Sequence, residues 1–352
     1  MTSLIKFLSS PRITVVCLLL LFILTFWGTI AQVQQGLYVA QERYFNSFFF
    51  WAAGCIPFPG AQLVLWVLFI NLVASIILTF KKHIQWANAG LLIIHVGLIL
   101  YFFAAFMVFH VAQESNVHLA DGERTNVSVS YQDWELAYWS NEGNERQVTA
   151  FDTTDFKPGF QIPFENTDLI LTVNKFYLNS DDEPSLIQKP VEKEKEQNRQ
   201  GGIFDLKTPH KSYTLTLYGG QAQASSLEIA GKKYHFILRH KRFQLPFILR
   251  LDHFKAAFHP GTEVAKSFES MVTISTGPLD RQVRIYMNNP LRYKDYTIYQ
   301  ASYDTDSDGR QYSTLAVVKN SARILPYIAC FAVFFGLALH FFIQAFISRA
   351  RA

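Results

Sequence analysis

Leu91-Leu92-Ile93-Ile94-His95-Val96-Gly97-Leu98, inside an apolar run from about residue 88 to 110, decides how the chain must be read. A helix over that run is long enough to cross about 30 Å of hydrocarbon, and no Asp, Glu, Lys or Arg interrupts it. Three further runs of this kind lie at about 13–31, 62–80 and 324–346. Half of the 352 residues are hydrophobic and 17% are charged, too apolar for a soluble protein of two or three domains. The expected fold is a polytopic α-helical membrane protein with four transmembrane helices and one large extracytoplasmic all-β domain inserted between helices 3 and 4. Residues 1–110 form the membrane region, with spans 13–31, 62–80 and 88–110 and an interfacial loop over 32–61. Residues 111–323 form the β-rich domain, and 324–352 the fourth span and tail.

The first run follows Lys6 and Arg12, as a signal peptide would. It is long for a signal core, however, and Thr29-Ile30-Ala31-Gln32 is a poor small-x-small cleavage site, so it is expected to stay as an anchor. Orientation follows from the basic residues of the short segments. Lys6 and Arg12, Lys81 and Lys82, and Arg349 and Arg351 all fall on one side, which places both termini in the cytoplasm and 111–323 in the periplasm of an inner-membrane protein. The net charge of +4 is what this bias produces, and no basic stripe with interleaved aromatics points to nucleic acid. Cys17, Cys55 and Cys330 leave the outer domain without cysteine, so it is not stapled by disulfides. Without Cys-x-x-Cys the chain is not itself a thiol reductant, and without Cys-x-x-Cys-His it carries no covalently attached haem.

The outer domain reads as short strands between turn signals, clearest at 125–131, 169–177, 212–218, 233–238, 270–275, 282–287 and 296–303. Such strands suggest a sandwich or an open barrel. Residues 192–202, rich in Glu and Lys, read as a flexible loop. The aromatic segment 41–60 reads as an interfacial helix, with a loop packed on the outer domain as the alternative. Asp304-Thr-Asp306-Ser-Asp308-Gly309 imitates the start of a calcium loop, but Leu315 stands where Glu is needed, and a hairpin turn explains the same residues.

An ionisable side chain within a span is a functional candidate by default, and His95 and His340 are the two that qualify. Each lies about two turns from the cytoplasmic end of its span, so the two could share a depth. A neutral imidazole offers Nε2 to haem iron, and bis-His ligation needs two such nitrogens. The alternative is a hydrogen bond to a neighbouring helix. His110, about 22 Å further along the axis than His95, marks either a second, outer site or, as preferred here, an amphipathic residue at the interface. His118, His235, His240, His253 and His259 show no metal-ligand spacing, and neither do His83 and His210.

Three stretches together resemble the ResB-like (CcsB) family of system II cytochrome c biogenesis. They are His95-Val-Gly97; Leu245-Pro-Phe-Ile-Leu-Arg-Leu-Asp252-His-Phe254 running into Phe258-His-Pro-Gly-Thr-Glu263-Val-Ala-Lys-Ser-Phe268-Glu-Ser270; and Val283-Arg-Ile-Tyr-Met287-Asn-Asn-Pro290-Leu-Arg-Tyr293 running into Tyr296-Thr-Ile-Tyr299-Gln300-Ala-Ser302-Tyr303. The layout of three spans, an outer domain and a last span is similar over essentially the whole chain. The resemblance implies a non-catalytic or co-catalytic subunit of a cytochrome c haem lyase complex. With a CcsA/ResC-type membrane partner, such a subunit moves haem b across the membrane for attachment to apocytochrome c. It implies that His95 is one axial ligand of haem iron and that the partner supplies the other, which lowers His340 as a second ligand. Membrane lipid and thiol-reducing proteins complete the expected partners. The Trp-rich loop of CcsA-type proteins is absent and the six tryptophans are scattered, so the expectation is a separate ResB-like subunit that cannot attach haem alone. Competing readings are a membrane accessory protein without haem and a mono-haem cytochrome b electron carrier; two haems would need histidines that the first two spans lack.

Overall fold

The computed structural model describes residues 2–351 other than 53, 82–85, 141–146, 165–168, 183–184, 193, 209–210, 230, 263–264 and 278. Lys82, His83, Lys193, His210 and Glu263 therefore lie outside the described residues. The chain divides into two compact units, 1–112 with 320–352, and 113–319.

In the first unit, α1 (Thr2–Leu8) precedes α2 (Pro11–Gln35), α3 (Leu37–Ala40), α4 (Ala61–Lys81), α5 (Ala89–Val111) and α6 (Leu325–Arg351). Among the described residues, four helices are long and apolar enough to cross a membrane, and they match the four expected runs. Local chemistry sets the ends of α2. The Ser10 side chain accepts from Arg12 N, Pro11 opens the first turn, and Gly36 closes the helix at φ 83°. Asn71 of α4 is buried and donates through Nδ2 to Leu8 O and Ser10 O while Oδ1 accepts from Thr14, which pins the α1–α2 corner.

The expected interfacial helix over 41–60 does not form. Gln41–Phe45 is one π-helical turn, and β1 (Phe49–Ala52) pairs with β2 (Ile56–Pro59) as a hairpin. Pro57 and Pro59 lack the N–H groups a helix needs and are tolerated in a two-stranded edge. Trp27 of α2, Tyr44, Phe50 and Phe58 hold the hairpin through ring contacts, with Tyr44 and Phe50 4.8 Å apart. The segment thus packs on α2, while Phe49 and Trp51 alternate outward.

The second unit consists, in chain order, of β3 (Gln113–Ala120), β4 (Arg124–Ser140), β5 (Val148–Asp152), β6 (Gln161–Pro163), β7 (Ile170–Tyr177), β8 (Ser180–Asp181), β9 (Ile187–Gln188), β10 (Gly201–Lys207), β11 (Ser212–Tyr218) and β12 (Ser225–Ile229). It continues with β13 (Lys232–Phe258), β14 (Ala265–Thr276), β15 (Leu279–Tyr286), β16 (Leu291–Tyr293), β17 (Tyr296–Thr305) and β18 (Gln311–Lys319). The main sheet runs β15-β14-β13-β4-β3-β18-β17-β16, with β12 on β13 and β5 on β4; a second sheet runs β11-β10-β7-β6. Both expected architectures occur. Where β4 and β13 face the second sheet, a sandwich core forms around Leu136, Leu171, Phe204, Leu217 and Phe236. Beyond it the main sheet curls toward closure and encloses Leu249, Leu251, Val272, Ile285, Ile298 and Leu315.

The long strand β13 serves both cores. Tyr234, Phe236 and Leu238 are buried, and further on Leu245, Phe247, Leu249 and Leu251 are, so the buried set changes parity along one strand. A register break between His240 and Arg242 makes the change, because inserting residues turns the next set to the other face. Glu135 fills the break: Oε1 accepts from Arg239 and Oε2 from Arg242 N.

The described residues of the 192–202 segment make hydrogen bonds within it. Asn198 ties the loop through bonds to Glu192 and Glu194, and Gly201-Gly202 opens β10. The 304–309 segment is the expected turn, with Asp306 Oδ1 accepting from Asp308 N and Arg310 N and Gly309 at φ 79°.

A second break in β13 leaves Asp252 without a ladder partner, and its side chain accepts from Thr273 Oγ1 at 2.6 Å, Arg250 Nε at 2.7 Å and Gln282 Nε2 at 3.1 Å. Burial alone would raise this carboxyl, but these bonds outweigh it and hold the group below its ordinary value. A depressed folded-state value gives stability that is present above the unfolded value and lost as pH falls through the folded one. Asp252→Asn should therefore lower the stability of the β unit by about 1–3 kcal/mol at pH 7. The gap to wild type should narrow below about pH 4, as read by the loss of sheet circular dichroism on heating the detergent-solubilised chain.

Candidate functional site

α5 and α6 approach closely because three positions on their shared face have no side chain. A Cβ on Gly90 would lie 2.4 Å from His340 N, one on Gly97 2.8 Å from Val333 Cγ2, and one on Gly336 2.8 Å from Ile94 N. These contacts fix an antiparallel register with Gly90 level with His340. At about 100° per residue, Gly90 and Gly97 share a face and His95 stands about 140° round from Gly90. His95 therefore turns away from α6. Phe102, seven residues on, shares the His95 face and packs on Phe69 of α4 with ring centroids 5.5 Å apart.

His95 is half-buried, and its Nδ1 lies 2.7 Å from Leu91 O, one turn back on its own helix. A carbonyl accepts, so this contact places the proton on Nδ1 and leaves the Nε2 lone pair uncommitted. An imidazole held in this way through one nitrogen is oriented to ligate a metal through the other. A hydrogen bond to a neighbouring helix, the alternative use of this ring, is replaced by one within α5.

His340 is not brought to His95. The register puts it level with Gly90, about 7.5 Å along the axis from His95 rather than at the same depth, and on the far side of the α5–α6 contact. Its Nδ1 is buried with no hydrogen-bond partner among the described residues. His110 is exposed at the end of α5, with Nδ1 2.8 Å from Phe106 O and its ring against Phe106 and Phe109, as an interfacial residue would be.

The outer histidines serve local contacts. His118 stacks on Tyr312 and His235 on Trp139, the His240 ring lies tilted against Trp134 with centroids 4.1 Å apart, and His253 contacts Asp121 Oδ2 at 2.9 Å. Burial pushes the His240 imidazole down, against an opposing contact with the Asp133 backbone. No three metal-ligating side chains converge among the described residues. Reading the sequence missed the role of Asn71 and of the three glycines; the heptad spacing of Gly90 and Gly97 in an apolar run was the available signal.

The ResB-like family matches residues 208–310, from just after β10 to the turn before β18. This bears out the resemblance carried by the two long outer motifs. Protein NrfI of Wolinella succinogenes is 23% identical over 287 residues, which cover 78% of this chain and 29% of that protein. The chain thus spans under a third of that relative's length. Among solved structures, Cytochrome c Heme Lyase CcmF aligns over 92% of this chain and 34% of its own, at 13% identity and a TM-score of 0.23.

The α5–α6 contact gives a direct expectation. Gly90→Leu forces atoms into the His340 backbone and should lower the melting temperature of the membrane unit in detergent by several degrees. Val96→Leu, at an exposed position of the same helix, should leave it unchanged.

Proposed function

We propose, for a chain that belongs to the ResB-like family, that it is the haem-handling subunit of a cytochrome c synthetase, with His95 as a haem ligand within the membrane. The observation that carries this reading is the locked tautomer of His95: Nδ1–H is spent on Leu91 O, and Nε2 is left on a half-buried, apolar helix face. That donor fits haem, whose ring is apolar and whose iron takes imidazole nitrogen. When bound, haem would supply the iron that His95 ligates and the porphyrin to be attached to apocytochrome c.

What the chain's own residues do follows from their placement. Leu91 O orients the imidazole and keeps its proton away from Nε2. Gly90, Gly97 and Gly336 close the opposite face of α5 against α6, so α6 would supply no further ligand on the His95 face, and in this reading a CcsA/ResC-type partner would supply it. The bias of Lys6, Arg12 and Arg349 supports both termini being in the cytoplasm and residues 113–319 on the periplasmic side, where apocytochrome c would dock.

The test is the absorption spectrum of the detergent-purified chain, alone and co-expressed with its CcsA-type partner. Wild type with the partner should show the haem bands. His95→Ala should lose them, and His340→Ala should keep them. Full haem retention in His95→Ala would sink the assignment, and absence of haem in every preparation would favour an accessory protein that binds none.

A further inference from the structure

The seam between α2 and α4 carries an apolar groove of about 320 Å³. Ile13, Val16, Cys17 and Leu20 form its wall on α2, and their i, i+3, i+4, i+7 spacing turns a single helix face to it. Val64 and Val67, one turn apart on α4, form the opposite wall. Cys17 and Val64 are buried, whereas Val16 and Val67 are exposed along the opening. Ile13 to Leu20 covers about 10 Å of the helix axis, and one leaflet of a hydrocarbon core about 30 Å thick is about 15 Å deep. All of these residues belong to the membrane unit.

Arg12 stands at one end of the groove. α2 has 25 residues, about 37 Å of helix, so its first turn reaches past the hydrocarbon when the helix spans it. An arginine there lays its aliphatic stem along the apolar wall and keeps its guanidinium at headgroup level. Asn71 ties the α1–α2 corner to α4 through Leu8 O, Ser10 O and Thr14, so Arg12 leaves an anchored turn and not a frayed end.

The guanidinium has no counterion in its own unit. Its backbone N–H bonds Ser10 Oγ, while its side chain makes no hydrogen bond or ion pair among the described residues. In the sequence of residues 1–112 and 320–352 the only Asp or Glu is Glu42, which follows the other end of α2 and accepts from Asn46. A cation at the edge of hydrocarbon with no carboxylate of its own draws anionic oxygen from outside, and a phosphate matches the planar fork with two charge-assisted bonds. An apolar trough that ends at such a fork fits one amphiphile, with its tail in the trough and its phosphate on the fork.

We propose that the α2–α4 groove is a binding site for an anionic phospholipid, with one acyl chain along Ile13 to Leu20 and the phosphate on the Arg12 guanidinium. Leaving bulk lipid for the groove gains the chain packing but no hydrophobic energy, so the headgroup contact sets the selectivity. A zwitterionic lipid fits the same trough, but its own ammonium competes for the phosphate. The preference for the anionic lipid is therefore electrostatic and falls as salt rises. Neither His95 nor haem enters this site.

The test counts lipids on the full chain by native mass spectrometry in a neutral detergent at low ionic strength, as palmitoyloleoylphosphatidylglycerol or palmitoyloleoylphosphatidylcholine is titrated. Wild type should bind the first phosphatidylglycerol about tenfold more tightly than the first phosphatidylcholine. Arg12→Gln should bring the two lipids to one value, and Arg12→Lys should keep part of the preference. Arg349→Gln, which removes an exposed cation elsewhere on the unit, should keep all of it. Val16→Phe fills the groove from its opening and should weaken both lipids; Val15→Phe, exposed on the same helix outside the groove, should weaken neither. Arg12 and Val16 are exposed, so these variants should melt with the wild type. Glycerol 3-phosphate, a head without a tail, should not displace phosphatidylglycerol. The proposal is overturned by a wild type without preference, by a preference that survives Arg12→Gln or falls as far in Arg349→Gln, by wild-type phosphatidylglycerol binding in Val16→Phe, or by displacement with glycerol 3-phosphate, which marks a bare anion site.

Discussion

The backbone contact between α5 and α6 is the constraint from which the membrane site follows. Lipid tails give two apolar helices no hydrophobic reason to associate, so close packing at small residues has to hold them. Gly90, Gly97 and Gly336 supply that packing, and in doing so they consume one face of α5. His95 lies on what remains. Its ring turns back to Leu91 O and leaves its second nitrogen uncommitted among the described residues. One helix contact thus settles the orientation and the tautomer together.

In the β unit the corresponding constraint is the parity of β13. A strand that buried the same face along all 27 of its residues could line one core but not two. The break at His240 to Arg242 moves the buried set across, and Glu135 satisfies the backbone N–H that the break orphans.

The spans were legible in the sequence because hydrocarbon leaves a chain so few options: long apolar runs must be helices, and their ends fall within about a turn and a half of where composition puts them. Short strands with clean alternation, such as 212–218, were legible for the same kind of reason. What failed was any element whose pattern is broken on purpose. β13 was read as one short strand because its register breaks interrupt the alternation, and β10 was hidden because Gly201-Gly202 looks like a loop. Residues 41–60 had the composition of an interfacial helix, yet ring contacts among Trp27, Tyr44, Phe50 and Phe58, three of them far from Trp27 in sequence, decide for a hairpin. His95 could be singled out from its cost in a membrane, but its separation from His340 needed the glycine register, which is a property of two helices and not of either alone.

In the proposed reading, a site with a single internal ligand would be limited in how tightly it can hold its cargo. Iron bound through one imidazole lacks the second bond that a bis-histidine protein encloses, so in the proposed reading affinity comes largely from the partner and rises only when the two are assembled. Ligand that binds the assembled state better than the free chain must, by linkage, stabilise the assembly by the same factor. A helix face that ends in an uncommitted Nε2 suits transfer better than storage, since disengaging the partner removes one ligand without disturbing α5. In the proposed reading the rigidity of the α5–α6 pair would matter for function and not only for folding, by keeping His95 presented while the partner's half of the site comes and goes.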